Sequence, residues 1–191
     1  IALGGVGHPA DVERLRMNLL DMAHLEGFNR SAQDVTSARL LQFGIAPALK
    51  QNFEEIQRAP YIIRMLLVEL DNKGKTNFFR MNYDGHWETF KNGTAIAGEE
   101  KVMDWLQKEI QKQPFATYSL EQALQQACKL WDESRKLDSD DETKKNIPET
   151  LQEAFDQWYL EAALLSGEVE RRAIYRVLTK EELGKLKSSV S

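Results

Sequence analysis

The sequence predicts an α+β fold in which groups of helices precede and follow an antiparallel meander. Apolar residues recur at three-to-four spacing before residue 57 and again after residue 99, and short apolar runs separated by tight-turn dipeptides fill the stretch between them. A strand-like run returns at 169–178. Composition fits one globular domain with a sizeable core, because the 191 residues are 42% hydrophobic and 29% charged. Strands this apolar must be covered, and the flanking helices are the available cover.

The chain opens on a strand, "IALGG", that runs into a glycine turn. Because a buried strand needs neighbours on both sides, we expect further strands before Ile1. Pro9 and Asp11 start a first helix that stops at Gly27. Its predicted buried face consists of Val12, Leu15, Leu19, Leu20, Met22 and Ala23.

A second helix follows, and Ser31 or Asp34 can cap it. Its apolar positions are Val35, Ala38, Leu41 and Ile45. Pro47 is expected to kink or divide this helix, because proline lacks the N–H that an α-helix interior requires. The run 48–56 then continues as a further turn or two.

The middle of the chain changes to strand periodicity. Turn residues stand at 71–75, at Asp84-Gly85 and at Asn92-Gly93. They separate four predicted strands, of which the first is the most apolar: 61–70, 76–83, 86–91 and 94–98.

Two amphipathic helices come next. The first, at 99–110, places Val102, Trp105, Leu106 and Ile110 on one face. Ser119 caps the second helix, whose predicted stripe is Leu120, Ala123, Leu124, Ala127, Leu130 and Trp131.

The last part of the chain begins with its most polar stretch, and we expect an insertion over 135–160. A helix is predicted over 151–165 and a closing strand over 169–178. A final helix starts at Thr179, which has capping-box spacing with Glu182.

Charge and composition exclude several classes of function. The net charge is −5 and the sequence pI is near 5.4, with Lys and Arg scattered among acidic residues, so neither nucleic acid nor an anionic membrane is an expected partner. No apolar run approaches a membrane span, and no basic-plus-apolar leader opens the chain, which predicts a soluble protein. Cys128 is the single cysteine and lies in an apolar helical pattern. It predicts a buried, unreactive thiol and a reducing, cytoplasmic location.

One acidic segment partly matches a calcium loop. Asp138, Asp140, Glu142 and Glu149 stand at ligand spacings, but Thr143 occupies the position that requires glycine. A solvated acidic loop is therefore the favoured interpretation.

Other polar residues also favour structural roles. His8, His24 and His86 are too far apart in sequence for a zinc motif. The string "GGVG" lacks the ending of a phosphate loop. The first helix carries three carboxylates, Asp11, Glu13 and Asp21, which could form a pair for acid/base catalysis. The position of Asp11 is already explained by the positive end of the helix dipole. We therefore expect no metal and no cofactor.

The order of elements, with several local strings, resembles a subunit of the proteasome core particle, in the family of N-terminal-nucleophile hydrolases. The strings are "IALGGVGHPADVERLRMNLL", "LLVELDNKGKTNFFRMNYDGHWETFKNGTAIAGEEKVMDWL", "SLEQALQQACKLW" and "SGEVERRAIYRVLTKEELGKL". The resemblance covers most of the chain except 135–160. It implies one domain over 1–191, folded as a layered αββα sandwich whose first strands are absent from this chain.

The resemblance also implies where chemistry would lie. The family's nucleophile is a threonine at the mature N-terminus, supported by an acidic residue and a lysine, and none of these maps onto this chain; Ile1 has no hydroxyl. Active subunits have serines around the glycine where Ala97 and Glu99 stand. They also have an aspartate three residues before the serine of "SGG". This chain has Ala163 there, followed by Ser166 and Gly167 as "SGE", so that serine and glycine are candidate remnants of a supporting site.

Three functional hypotheses follow. In the first, the chain is a non-catalytic subunit that forms proteasome-like rings and buries helices bearing Trp105, Trp131 and Trp158 against its neighbours. In the second, the full gene product is a threonine-type endopeptidase acting on proteins or peptides, with its nucleophile upstream of Ile1. In the third, the chain is an α+β partner-binding module unrelated to proteolysis, which predicts a stable monomer.

Overall fold

The fold is α+β, as the sequence predicts, with helices and antiparallel sheets. The computed structural model describes residues 1–31, 34–57, 59–71, 73–137, 148–169 and 172–184. The chain divides into two compact units, Ile1–Glu99 and Glu100–Ser191. The single domain with an insertion over 135–160 stays a prediction, and residues 138–147 of that insertion lie outside the described residues.

The first unit contains a four-stranded antiparallel meander in the order β1-β2-β3-β4. Its strands are β1 (Ala2–Gly7), β2 (Ile63–Leu70), β3 (Thr76–Asn82) and β4 (Trp87–Phe90). Gly85 takes a φ of +83° in the turn between β3 and β4, which confirms the predicted "DG" turn.

The strand predicted at 94–98 is wrong, because these residues adopt no regular structure. Arg64 of β2 donates hydrogen bonds to the carbonyl oxygens of Ala97 and Gly98. A guanidinium group thus satisfies two carbonyls that a strand would have paired with a neighbouring backbone.

A long helix, α1 (Pro9–Asn29), follows β1. His8 caps it, since the Nδ1 atom of His8 accepts a hydrogen bond from the Ala10 N–H at 3.3 Å. The helix continues past Gly27, where the sequence predicted its end. Leu15 and Leu19 are buried as predicted, but Leu20 is exposed, because the helical turn points it away from the sheet.

The second helical segment is divided, as Pro47 predicts. It comprises α2 (Ser37–Leu40), a π-helical turn (Leu41–Ile45) and α3 (Ala46–Glu54). The π-helical turn ends at Ile45, two residues before the proline, whose ring would clash with the carbonyl four residues back in a regular α-helix. The predicted cap at Ser31 or Asp34 is wrong: Thr36 is the cap, and its hydroxyl accepts from the Arg39 N–H at 3.4 Å.

The core of the first unit lies between the helices and one face of the sheet. Side chains alternate along β2, so that every second residue faces the helices. Buried members from the helices and strands are Leu15, Leu19, Leu40, Leu41, Ile45, Leu49, Ile63, Met65, Leu67, Phe79 and Met81. We call the opposite face of the sheet the outer face.

The second unit begins with two helices, α4 (Glu100–Lys112) and α5 (Leu120–Lys136), joined through a 3₁₀ turn at Phe115–Thr117. Ser119 and Gln122 form a reciprocal capping box at the start of α5, which confirms the predicted cap. The predicted stripe of α5 is only partly correct. Leu120 and Trp131 are about two-fifths exposed, whereas Cys128 and Ser134 are buried with Leu130.

The helix predicted over 151–165 is wrong in its second half. Helix α6 (Leu151–Gln157) stops after seven residues, and β5 (Ala163–Val169) pairs antiparallel with β6 (Arg172–Val177). The apolar run 162–165 is compatible with a helix or a strand by its pattern alone. It forms a strand because its backbone pairs with β6.

The closing helix, α7 (180–184), has the predicted capping box: the Thr179 N–H donates to Glu182, and the Glu182 N–H donates to the Thr179 hydroxyl. Among the described helices, none is both long and apolar enough to cross a bilayer.

Candidate functional site

The sequence-predicted remnant, Ser166 and Gly167, lies in strand β5. Ser166 stands opposite Ile174 of β6, and the pairing is irregular from there to Val169. Ser166 is half-buried and Gly167 is exposed. Ala163, at the other end of the strand, stands opposite Val177. Its methyl group cannot exchange a proton, so Ala163 cannot act as an acid or a base.

The three histidines have separate positions. His8 caps α1, His24 is exposed on the same helix, and the His86 N–H donates to the Asp84 carboxylate in the β3–β4 turn. Within the described ranges, no group of three or more His, Cys, Asp or Glu residues could hold a metal ion. The lack of a metal or cofactor stays a prediction.

The carboxylates of α1 also do not form a catalytic pair. Both Glu13 oxygens accept from the Arg16 guanidinium, at 2.7 and 2.8 Å, and these hydrogen bonds lower the pKa of Glu13. Asp11 lies in the first turn of the helix, as its dipole favours, and Asp21 is exposed. A carboxylate whose pKa is lowered is a poor proton donor near neutral pH.

Cys128 is buried, as predicted, and burial raises the pKa of its thiol. A thiol of raised pKa is less often the reactive thiolate. Of the calcium-loop residues, Asp138, Asp140, Glu142 and Thr143 lie outside the described residues. Glu149 is exposed, and its N–H donates to Glu153 at the start of α6.

Two of the predicted interface tryptophans contact each other. Trp131 and Trp158 pack edge to face with ring centroids 5.6 Å apart, and each keeps about two-fifths of its surface exposed. The Arg135 guanidinium lies 5.6 Å from the Trp131 ring. Trp105, on α4, is half-buried. Their burial against neighbouring subunits stays a prediction.

The candidate functional surface that the sequence did not reveal is the outer face of the four-stranded sheet. Its strand register places apolar side chains beside a central arginine. These side chains are Leu66, Val68, Phe78 and Phe90, all half-buried.

Arg80 occupies the centre of this face, with only 9% of its surface exposed. Its Nη2 atom donates to the Glu88 carboxylate of β4 at 2.7 Å, and its guanidinium lies 5.0 Å from the centre of the Phe90 ring. The Nε and Nη1 atoms are buried and have no acceptor among the described residues.

The only signal for this pair in the sequence is the turn. The "DG" turn fixes the β3–β4 register, and that register places Arg80 directly opposite Glu88. Burial of the arginine could not be read from the strand pattern, because alternation does not reveal whether the second face is covered.

A second polar feature, also unpredicted, lies on the helix side of the sheet. Glu69 ends the buried row of β2 with 7% of its surface exposed, and it accepts a hydrogen bond from the Ser37 N–H at 3.3 Å. Burial raises the pKa of Glu69. Ser37 is the first residue of α2, so this hydrogen bond joins the helix to the sheet.

The chemistry of the outer face is that of binding. A guanidinium stays protonated and donates hydrogen bonds, so Arg64 and Arg80 can hold carbonyls or carboxylates but cannot transfer protons. Apolar side chains around them favour close packing against another protein layer.

No protein-family model matches this chain, and no curated protein matches it.

Proposed function

We propose that this protein is a proteasome-like subunit involved in protein degradation, and that the chain acts as a non-catalytic, ring-forming component. The observation that supports this proposal is that the face of the four-stranded sheet away from the helices is half-buried and partly apolar. In a two-layer α+β protein the face away from the helices is solvated and polar. This sheet instead has half-buried apolar side chains and a buried arginine there.

A sheet of this kind suits the inner layer of a sandwich. Helices α1 to α3 form the layer on one side, and a second antiparallel sheet on the outer face, covered in turn by helices of its own, would complete the order helix, sheet, sheet, helix. This arrangement is the αββα sandwich of the N-terminal-nucleophile hydrolases, which the sequence resembles.

The non-catalytic role is supported by the residues at the positions the family uses. Ala163 stands where active subunits have an aspartate, and Ala97 and Glu99 stand where they have serines. Ser166 and Gly167 remain as the remnant of a supporting strand. We also propose a cytoplasmic location and a homo- or hetero-oligomeric state, with protein substrates processed by other members of the assembly.

Native mass spectrometry and negative-stain microscopy of the complete gene product test this proposal. We expect closed rings or half-barrels containing many copies, and no labelling by an electrophilic probe for N-terminal hydroxyl or thiol nucleophiles. Labelling of a threonine upstream of Ile1, together with peptide cleavage, would establish the endopeptidase instead. A stable monomer that neither assembles nor reacts would favour the partner-binding module.

A further inference from the structure

Helix α1 has a second stripe, apolar at its two ends and polar in its middle, on the side opposite its buried one. At 3.6 residues per turn, Met17, Asp21, His24 and Phe28 share one face, and that face points away from Leu15 and Leu19. Met17 is 42% exposed and Phe28 is 89% exposed. Leu20 and Leu25, also exposed, lie on the two flanks of the stripe. A surface helix normally has one apolar stripe, so the second indicates a further contact.

The spacing of this stripe is that of a helix-pairing seam. The four residues follow one another at intervals of four, three and four, which are the a and d positions of a heptad pattern. Two such helices can pack side by side with each residue inserted between residues of its partner.

The order of residues along the stripe makes it complementary to itself. If two copies pack antiparallel about a two-fold axis at the level of Met22 and Ala23, Met17 of each copy meets Phe28 of the other. In the same register, Asp21 of each copy meets His24 of the other. Parallel packing would instead bring Asp21 against Asp21, which like-charge repulsion disfavours. Antiparallel packing also opposes the two helix dipoles.

We propose that two copies of this chain associate through their α1 helices, packed antiparallel with Met17 against Phe28 and Asp21 against His24. The partner is a second copy, because an acid, a base and two apolar residues are placed so that the stripe matches its own two-fold image. The central polar pair fixes the register, as single polar residues do in other helix pairs. This contact goes beyond the proposed function and does not depend on it.

A contact through one helix of each copy is small, so the dimer is expected to be weak. Small interfaces are typical of transient contacts, and we expect a dissociation constant on the order of micromolar. Sedimentation equilibrium over about two decades of micromolar concentration will measure it.

Complementary charge variants provide the decisive test. Asp21→Lys alone replaces the carboxylate of each polar layer with an ammonium group beside the imidazole of His24, and His24→Asp alone places two carboxylates there. Each is expected to weaken dimerisation about tenfold or more. An equal mixture of the two variants restores one cation and one carboxylate in one layer and leaves the native Asp21–His24 pair in the other. The mixture should therefore associate within about threefold of the unchanged protein.

Two further variants complete the experiment. Phe28→Glu removes an apolar contact and should abolish the dimer, whereas Ile56→Glu alters a fully exposed apolar residue outside α1 and should leave it unchanged. All of these positions are exposed, so circular dichroism should show native helix content in each variant. A monomer at every concentration would overturn the proposal, and so would a mixture that associates no better than the single variants. A Phe28→Glu variant that dimerises as tightly as the unchanged protein would also overturn it, and rings formed by that variant would leave the proposed function intact.

Discussion

Gly74 and Gly85 have the same kind of backbone in different surroundings. Their φ angles are +75° and +83°, in the left-handed region that glycine adopts without strain. A methyl group at Gly74 would have open space, but at Gly85 it would overlap the carbonyl oxygen of Ala46 in α3. We expect Gly74→Ala to cost about 1 kcal/mol of stability and Gly85→Ala about 3 kcal/mol or more.

Urea denaturation of both variants measures the difference. The two glycines share a backbone conformation, so a larger loss of stability in Gly85→Ala measures how closely the turn packs against α3. Equal losses would mean that the turn and the helix do not pack as closely as the structure has them.

Glu69 predicts an unusual pH dependence. Burial raises the pKa of its carboxyl group, so ionisation is less favourable in the folded chain than in the unfolded chain. This stabilising contribution is complete below the ordinary glutamate pKa of about 4.3 and is lost as pH rises through the folded value. Glu69→Gln keeps an oxygen acceptor for the Ser37 N–H without a charge. We therefore expect the variant to be more stable than the parent at pH 7 and similar to it below pH of about 4.

Denaturation midpoints of the two proteins between acidic and neutral pH test this expectation. The exposed Glu161→Gln serves as the control and should show no such divergence. A constant difference between Glu69→Gln and the parent at all pH values would contradict the role of charge burial.

Helix α1 packs against the core through one face only, and a matched pair of substitutions tests this. Leu15 is 2% exposed within the core, whereas Leu20 is 41% exposed. Leu15→Ala leaves a cavity and is expected to cost about 2–5 kcal/mol. Leu20→Ala should change stability by no more than about 0.5 kcal/mol. Denaturation in dilute protein measures both, and similar losses would mean that the helix is oriented differently on the sheet.

The capping box of α7 should open in acid. The Glu182 carboxylate accepts hydrogen bonds from Arg176 and from the Thr179 N–H, at distances of 2.8–3.1 Å, and these lower its pKa to about 2. A lowered pKa gives stability that is present above the ordinary value of about 4.3 and lost as pH falls toward the folded value. We expect the amides of 180–184 to lose protection from hydrogen exchange over that range.

The variant Glu182→Gln should show weak protection at every pH. Glu181→Gln, one position earlier on the same helix, should behave like the parent protein. If protection at 180–184 followed only the global unfolding of the chain, the capping box would have no local effect.

Sequence pattern predicted the elements whose signals are local. Ser119 and Thr179 cap helices through capping boxes with the residues three positions later, and Pro47 divides its helix. Elements decided by distant contacts were missed. The run 162–165 became part of a hairpin because β6 pairs with it, and 94–98 stayed irregular because Arg64 satisfies two of its carbonyls. Both outcomes depend on residues far away in sequence, which periodicity does not report.

Less of the candidate site could be predicted than of the fold. The polar residues that sequence singled out fall at separate positions, with His8 at a helix cap and Glu13 paired to Arg16. The outer face emerged only from the register, which sets Arg80 opposite Glu88 and Val68 opposite Phe78. Whether a strand face is covered is a property of the whole molecule, so the strand pattern alone could not reveal it.

The proposed sandwich makes one stability prediction for the molecule as a whole. If the sheet is an inner layer, truncation on the outer face should cost stability although α1 to α3 lie on the other side. Leu66 is half-buried at the middle of this face, and Val6 lies on the same face at the edge strand with 40% of its surface exposed. We expect Leu66→Ala to cost about 1–3 kcal/mol and Val6→Ala about 0.5 kcal/mol. Denaturation curves of the two variants measure this difference. If Leu66→Ala were as harmless as Val6→Ala, the outer face would be a solvated surface, and the layered architecture that supports the proteasome-like function would lose its physical basis.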